Sequence, residues 1–116
     1  MFAVELPWPS RVLHPNSPAH WARKAKAAAK ARRDAAWLAV AAGVEPITAK
    51  ALQVTAVFTP PDNRRRDVDG MLSACKSAID GIADVLGVDD SKWVFNLRRS
   101  APKAPGTVRI EIEVVG

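Results

Sequence analysis

Two periods of hydrophobicity organise the chain. From Lys50, "KALQVTAVFTP" alternates, placing Leu52, Val54, Ala56 and Phe58 on one face, which predicts a half-buried strand ended by Pro60 and Pro61. "GTVRIEIEVVG" alternates more clearly: Val108, Ile110, Ile112 and Val114 interleave with Arg109, Glu111 and Glu113. "FAVEL" (2–6) reads as a short strand, and Pro7 and Pro9 then limit it to a turn or a sheet edge. "WVFNLRR" from Trp93 reads as a fourth strand. Between these the period changes to that of a helix. Leu72, Cys75, Ile79, Ile82 and Leu86 recur every three or four residues, predicting an amphipathic helix that begins at about Asp69 and stops at Gly87. An earlier stretch, "AHWARKAKAAAKARRDAAWLAVAAG", consists largely of strong helix formers. Ser17 as cap and Pro18 in the first turn predict its start, and Gly43 its end. Its large apolar residues come late, at Trp37, Leu38 and Val40, so its first half is expected in solvent and Trp37 in the core. The order strand, helix, strand, helix, strand, strand implies one α/β or α+β domain over residues 1–116. It predicts a small mixed sheet of about four strands with two main helices on a face.

Composition narrows the setting. A chain of 116 residues can stabilise a core without disulfides, and its single cysteine, Cys75, has no internal partner. With no signal-like N-terminus and no apolar run near ~20 residues, a soluble cytoplasmic protein is expected, with no membrane association. The net charge is +5, and its distribution matters more than its total. Seven Lys and Arg and no acid lie between Arg11 and Arg33, a second run is Arg64–Arg66, and a third gathers around Arg98 and Arg99. Clustered cations favour a polyanion, nucleic acid first; the competing reading is a basic surface that only aids solubility.

The acids concentrate in "DNRRRDVDGMLSACKSAIDGIADVLGVDD", Asp62 to Asp90. In an extended segment Asp67 and Asp69 would point the same way and could share a hard cation, Mg²⁺ or Mn²⁺, with open water positions. Asp89 and Asp90, beyond the helix, are candidates to join them if the fold brings them back. The arginines beside the acids would suit a phosphate next to such an ion. "DVDG" is not an EF-hand: the first and twelfth loop positions would be Arg65 and Lys76. The purely structural alternative is a capped helix, with Asp69 in its first turn, Asp67 paired to arginines, and Asp89 and Asp90 in a turn. Lys76 shares a helical face with Asp69 and Asp80. It reads either as an intrahelical partner of Asp80 or as a cation aimed at a scissile phosphate. His14 and His20 read as structural or surface residues, Cys75 as core, and Trp21 as packed more readily than stacked on a base. No Gly-rich phosphate loop or zinc-like spacing is present, and no organic cofactor is expected.

"LPWPS", "RRRDVDGML", the amphipathic helix with Lys76, and "GVDDSKW" together resemble the RusA family of Holliday-junction resolvases, in order and spacing over most of the chain. The resemblance implies a homodimeric, Mg²⁺-dependent endonuclease, with Mn²⁺ as alternative ion, that resolves four-way DNA junctions by paired nicks in a bacterial or phage-infected cell. By position, Asp67, Asp69 and Asp90 match its metal-binding acids, with Asp89 as a substitute for Asp90, and Arg66 matches a basic DNA contact. Arg64, Arg65, Arg23, Lys24 and Lys76 are further expected DNA contacts, and Lys76 or the metal would stabilise the leaving oxygen. The basic helix of residues 18–42 does not align with the family and is expected to be a flexible arm on DNA. Two positions depart from the family pattern. Gly70 stands where Asn often follows the second acid. Ser73 stands where the helix lysine is common, Lys76 coming about one turn later. The alternatives are a basic DNA-binding protein without catalysis and a metal nuclease for other branched DNA.

Overall fold

A computed structural model describes residues 1–115. Four strands, β1 (Phe2–Pro7), β2 (Ala51–Thr59), β3 (Trp93–Arg99) and β4 (Thr107–Val115), form one mixed sheet in the order β1-β4-β2-β3. Two helices, α1 (Trp21–Ala41) and α2 (Val68–Leu86), complete a small α+β fold. β2 pairs in parallel with β3, and α2 is the crossover that a parallel pair requires. β4 runs antiparallel to both β1 and β2. β3 and β4 are consecutive yet not paired, because β2 lies between them; their connection passes the end of β2, with Ser100 N–H donating to Phe58 O and Lys103 N–H to Pro60 O.

The alternation seen in the sequence is the alternation of the sheet, except that Val114, near the end of β4, is exposed. Leu52, Val54, Ala56 and Phe58 of β2 are buried, as are Val108, Ile110 and Ile112 of β4 and Val4 and Leu6 of β1. The apolar stripe of α2 (Met71, Cys75, Ile79, Ile82, Leu86) joins them in one core. Each large side chain taken fully from water there contributes about 1.5–3 kcal/mol. α2 ends as predicted, at a left-handed Gly87 (φ 71°) whose N–H bonds Ala83 O. β1 and β3 are the sheet's edges, which accommodates Pro7 at the end of β1.

α1 departs from expectation in three ways. It starts at Trp21, capped by His20, whose Nδ1 accepts the Ala22 N–H at 3.2 Å; Ser17 instead accepts the Ala19 N–H in the preceding loop. Trp37 is 70% exposed, and Leu38 and Val40 also face outward. The buried residues of α1 are Ala35 and Ala39, because α1 and α2 cross too closely for larger groups: a Cβ on Gly81 would lie 2.1 Å from Arg32 O. Finally, α1 is docked along α2, with Arg32 Nε and Nη2 donating to Asp84 at 2.7 and 2.8 Å, so it is not a flexible arm. Its first half is largely in solvent, as expected.

Candidate functional site

The loop joining β2 to α2 is built around Arg66. Its guanidinium donates to the Asp62 and Arg64 carbonyls, pairs with the Asp62 carboxylate at 2.8 Å, and lies 5.4 Å above the centroid of the Trp8 ring. Trp8 in turn packs edge-on against Phe58. "LPWPS" and "DNRRRD" are therefore two halves of one construction: a tryptophan from after β1 supports an arginine that shapes the loop after β2. Arg99 also donates to the Arg66 carbonyl, at 2.9 Å. Arg66, expected as a DNA contact, spends its donors inside the loop. Arg64 and Arg65 face solvent, and Arg64 approaches Asp62 only to 3.8 Å. The Asp62 carboxyl sits below its ordinary range, chiefly because it accepts the Arg64 backbone N–H, with Arg66 adding to the effect.

Asp62 thus takes the pairing role that the structural alternative had given to Asp67. Asp67 occupies the N-cap position of α2 and makes no side-chain capping bond, and Asp69 lies in the first turn. Both are exposed, and neither forms a salt bridge or side-chain hydrogen bond among the described residues. The helix begins one residue earlier than predicted, at Val68, so the two acids are not i and i+2 of an extended segment. They share a cleft instead. Together with Gly70 and Ser73 of α2 they form one wall of an open depression of about 460 Å³, and His14, Pro15 and Asn16 form the other. His14 was not among the expected functional residues. Its sequence context, a lone histidine before a proline, carries no signal; only the fold sets it against Gly70.

A second open cleft, of about 750 Å³, adjoins the first through His14, Asn16, Asp67 and Gly70, and includes Trp8, Arg23 and Arg64–Arg66 in its lining. The N-terminal turn of α1 and the β2–α2 loop thereby bring their cations to one side of the acids. Lys24 is half-buried and does not line this cleft.

Lys76 lies farther along α2, between two carboxylates. It pairs with Asp80 at 2.7 Å, the intrahelical bond weighed from the sequence, and also with Asp90 from beyond the helix. Both bonds raise the Lys76 amine, Asp80 first and Asp90 second. Asp90 opens a single 3-10 turn (Asp90–Lys92), and Asp89, just before it, accepts the Ser91 hydroxyl at 2.8 Å, which holds its carboxyl below the ordinary range. The far end of the segment does return toward α2, but it meets Lys76. Among the described residues no three Asp, Glu, His or Cys side chains converge as a metal set. Two exposed carboxylates without cation partners still have the donor chemistry of a hard divalent ion that keeps several waters.

The remaining candidates divide plainly. Cys75 is buried, and burial pushes its thiol up to about 12, so it is inert core. Trp21, expected to be packed, is 74% exposed at the start of α1, its ring 5.4 Å from that of His20. Trp93 is buried and donates to Val88 O. No helix among the described residues is long and apolar enough to cross a membrane.

No family model matches the chain. An uncharacterized protein of Xylella fastidiosa (strain Temecula1) is 41% identical over 98 residues, which cover 81% of this chain and 63% of that protein. The chain therefore spans a little under two thirds of the relative's length.

Proposed function

We propose that the chain is a RusA-like, Mg²⁺-dependent endodeoxyribonuclease that resolves four-way DNA junctions as a homodimer. One observation carries the reading: Asp67 at the N-cap and Asp69 in the first turn of α2 stand exposed and unpaired, while the neighbouring Asp62 absorbs the loop's arginine. Adjacent carboxylates left without cations repel each other, an arrangement with more use as a ligand pair than as a structural one. Asp67 and Asp69 would hold the ion, and Asp90 would join them on exchanging out of its bond with Lys76. When bound, the metal supplies an activated water and neutralises phosphodiester charge.

The chain's own residues do the rest. Arg64 and Arg65, exposed beside the acids, and Arg23 across the wider cleft attract the phosphate backbone. Arg66 acts indirectly, holding the loop that presents them. Lys76 is the cation nearest in sequence on the Asp69 face of α2, and once released from Asp90 it stabilises charge on the leaving oxygen. Two copies related by a two-fold axis give two such centres, which suits paired nicks in strands of like polarity.

A second reading has its own support. With Asp90 held by Lys76, and Gly70 and Ser73 replacing residues common in the family, a DNA-binding protein without catalysis fits the same surface. A labelled four-way junction incubated with Mg²⁺ separates the two. Wild type is expected to nick it and Asp69→Asn to bind without nicking; equal binding with no nicking by either favours the binding protein.

A further inference from the structure

The acidic cleft has a wall that the resemblance does not supply. His14 lies on the loop after β1, and its ring rests on the first turn of α2 at Gly70: a Cβ there would stand 2.7 Å from His14 Nε2, closer than real contacts allow. Gly70 therefore makes the space that the imidazole fills, and any larger residue would move the ring. The other ring nitrogen is engaged, since Nδ1 accepts the Asn16 backbone N–H at 3.2 Å. With Nδ1 accepting, the ring proton is on Nε2, the atom that faces Gly70. Asp67, Asp69 and Ser73 complete the opposite wall, and no protein acceptor for Nε2 is present among the described residues.

Resting on the nuclease reading, we propose that His14 is a substrate-contacting residue of this cleft: its Nε2–H donates to a non-bridging oxygen of the phosphodiester that lies between it and the Asp67–Asp69 pair, and Gly70 is the seat that positions it. A donor suits this place. Asp67 and Asp69 repel a phosphate, and an N–H donor opposite them orients it without competing for the metal. The departure at Gly70 is then a substitution of parts, a ring from the β1 loop taking space that a side chain at position 70 would occupy.

Two measurements test this, one independent of cutting. The chain has only two histidines, so its imidazole NMR signals form two sets, and His14→Gln assigns them. Titration with Mn²⁺ alone is expected to broaden the His14 ring well before that of His20, and Asp67→Asn with Asp69→Asn should abolish the difference. Equal broadening of both rings, or none, overturns the placement of His14 beside a metal-binding pair, whether or not the protein cuts DNA. In junction cleavage, His14→Ala is expected to slow cutting about 10- to 100-fold, the loss of one hydrogen bond to a charged group, and His14→Gln, which keeps an N–H donor, to recover part of it. Gly70→Ala should resemble His14→Ala, and the double variant should be no worse than either alone. Wild-type cutting by His14→Ala, or additive losses in the double variant, overturns the role of His14 and leaves the nuclease reading intact. Selective broadening with no cutting by wild type upholds the cleft and sinks that reading.

Discussion

The two ends of α2 treat carboxylates in opposite ways. From the middle of α2 onward its own acids answer to cations: Asp80 to Lys76, which also takes Asp90 from beyond the helix, and Asp84 to Arg32. At its start Asp67 and Asp69 answer to none, although three arginines precede them directly. Those arginines are directed elsewhere, Arg66 inward to Asp62 and Trp8, Arg64 and Arg65 outward. A helix that only needed its charges balanced would look alike at both ends. The difference separates the part of α2 that docks α1 and the sheet from the part whose acids are left unpaired, the part to which the proposed function assigns a ligand.

Breaking the open end should remove activity and spare the fold. Asp67→Asn with Asp69→Asn is expected to lower metal-dependent junction cutting by about 10³-fold or more, the scale of losing the principal electrostatic element of a site. Its unfolding free energy in urea should stay within about 1 kcal/mol of wild type, since only first-turn, dipole-type interactions are lost. Breaking the docked part should do the reverse. Gly81→Ala puts a methyl against the Arg32 carbonyl and is expected to cost about 3 kcal/mol in the same urea titration, the cost of overpacking a tight contact.

Lys76 sits where the two regimes meet and sharpens the comparison. Lys76→Ala removes an exposed double pair, so stability should change by less than about 1 kcal/mol. Cutting should fall about 10- to 100-fold if the amine also serves the leaving oxygen. A stability loss with unchanged cutting would return Lys76 to a purely structural role. The smallest effect is expected with pH. Asp62, Asp84 and Asp89 have carboxyls held below their ordinary value, so their contribution is complete above about pH 5, a unit over the unfolded value, and disappears as pH falls through the lowered values. Melting temperature should accordingly hold from neutrality down to about pH 5 and decline below it, with Arg32→Ala flattening the Asp84 share of that decline.

Most of the fold was legible because its signal is local. The alternation in β2 and β4 and the 3.6-residue stripe of α2 each name their own buried face, and Gly87 names the helix end. α1 was misread where tertiary contact overrides local pattern: the crossing at Gly81 admits Ala35 and Ala39 and leaves Trp37 outside, against the usual preference for burying the larger side chain. The site was legible in part for the same reason. Asp67 and Asp69 are neighbours in sequence, so their shared place was visible. His14 against Gly70, Trp8 beneath Arg66, and Asp90 on Lys76 join positions 14 to 58 residues apart, and no period or spacing marks them.

The central claim is that the unpaired end of α2 is a metal-dependent cutting centre for branched DNA. Its most direct test offers wild-type protein a labelled four-way junction and a linear duplex of the same sequence, each with Mg²⁺ or with EDTA. Symmetric nicks in the junction with Mg²⁺, none with EDTA and none in the duplex are the predicted result. Tight binding of the junction with no nicks at any Mg²⁺ concentration, or equal cutting of the duplex, would contradict it.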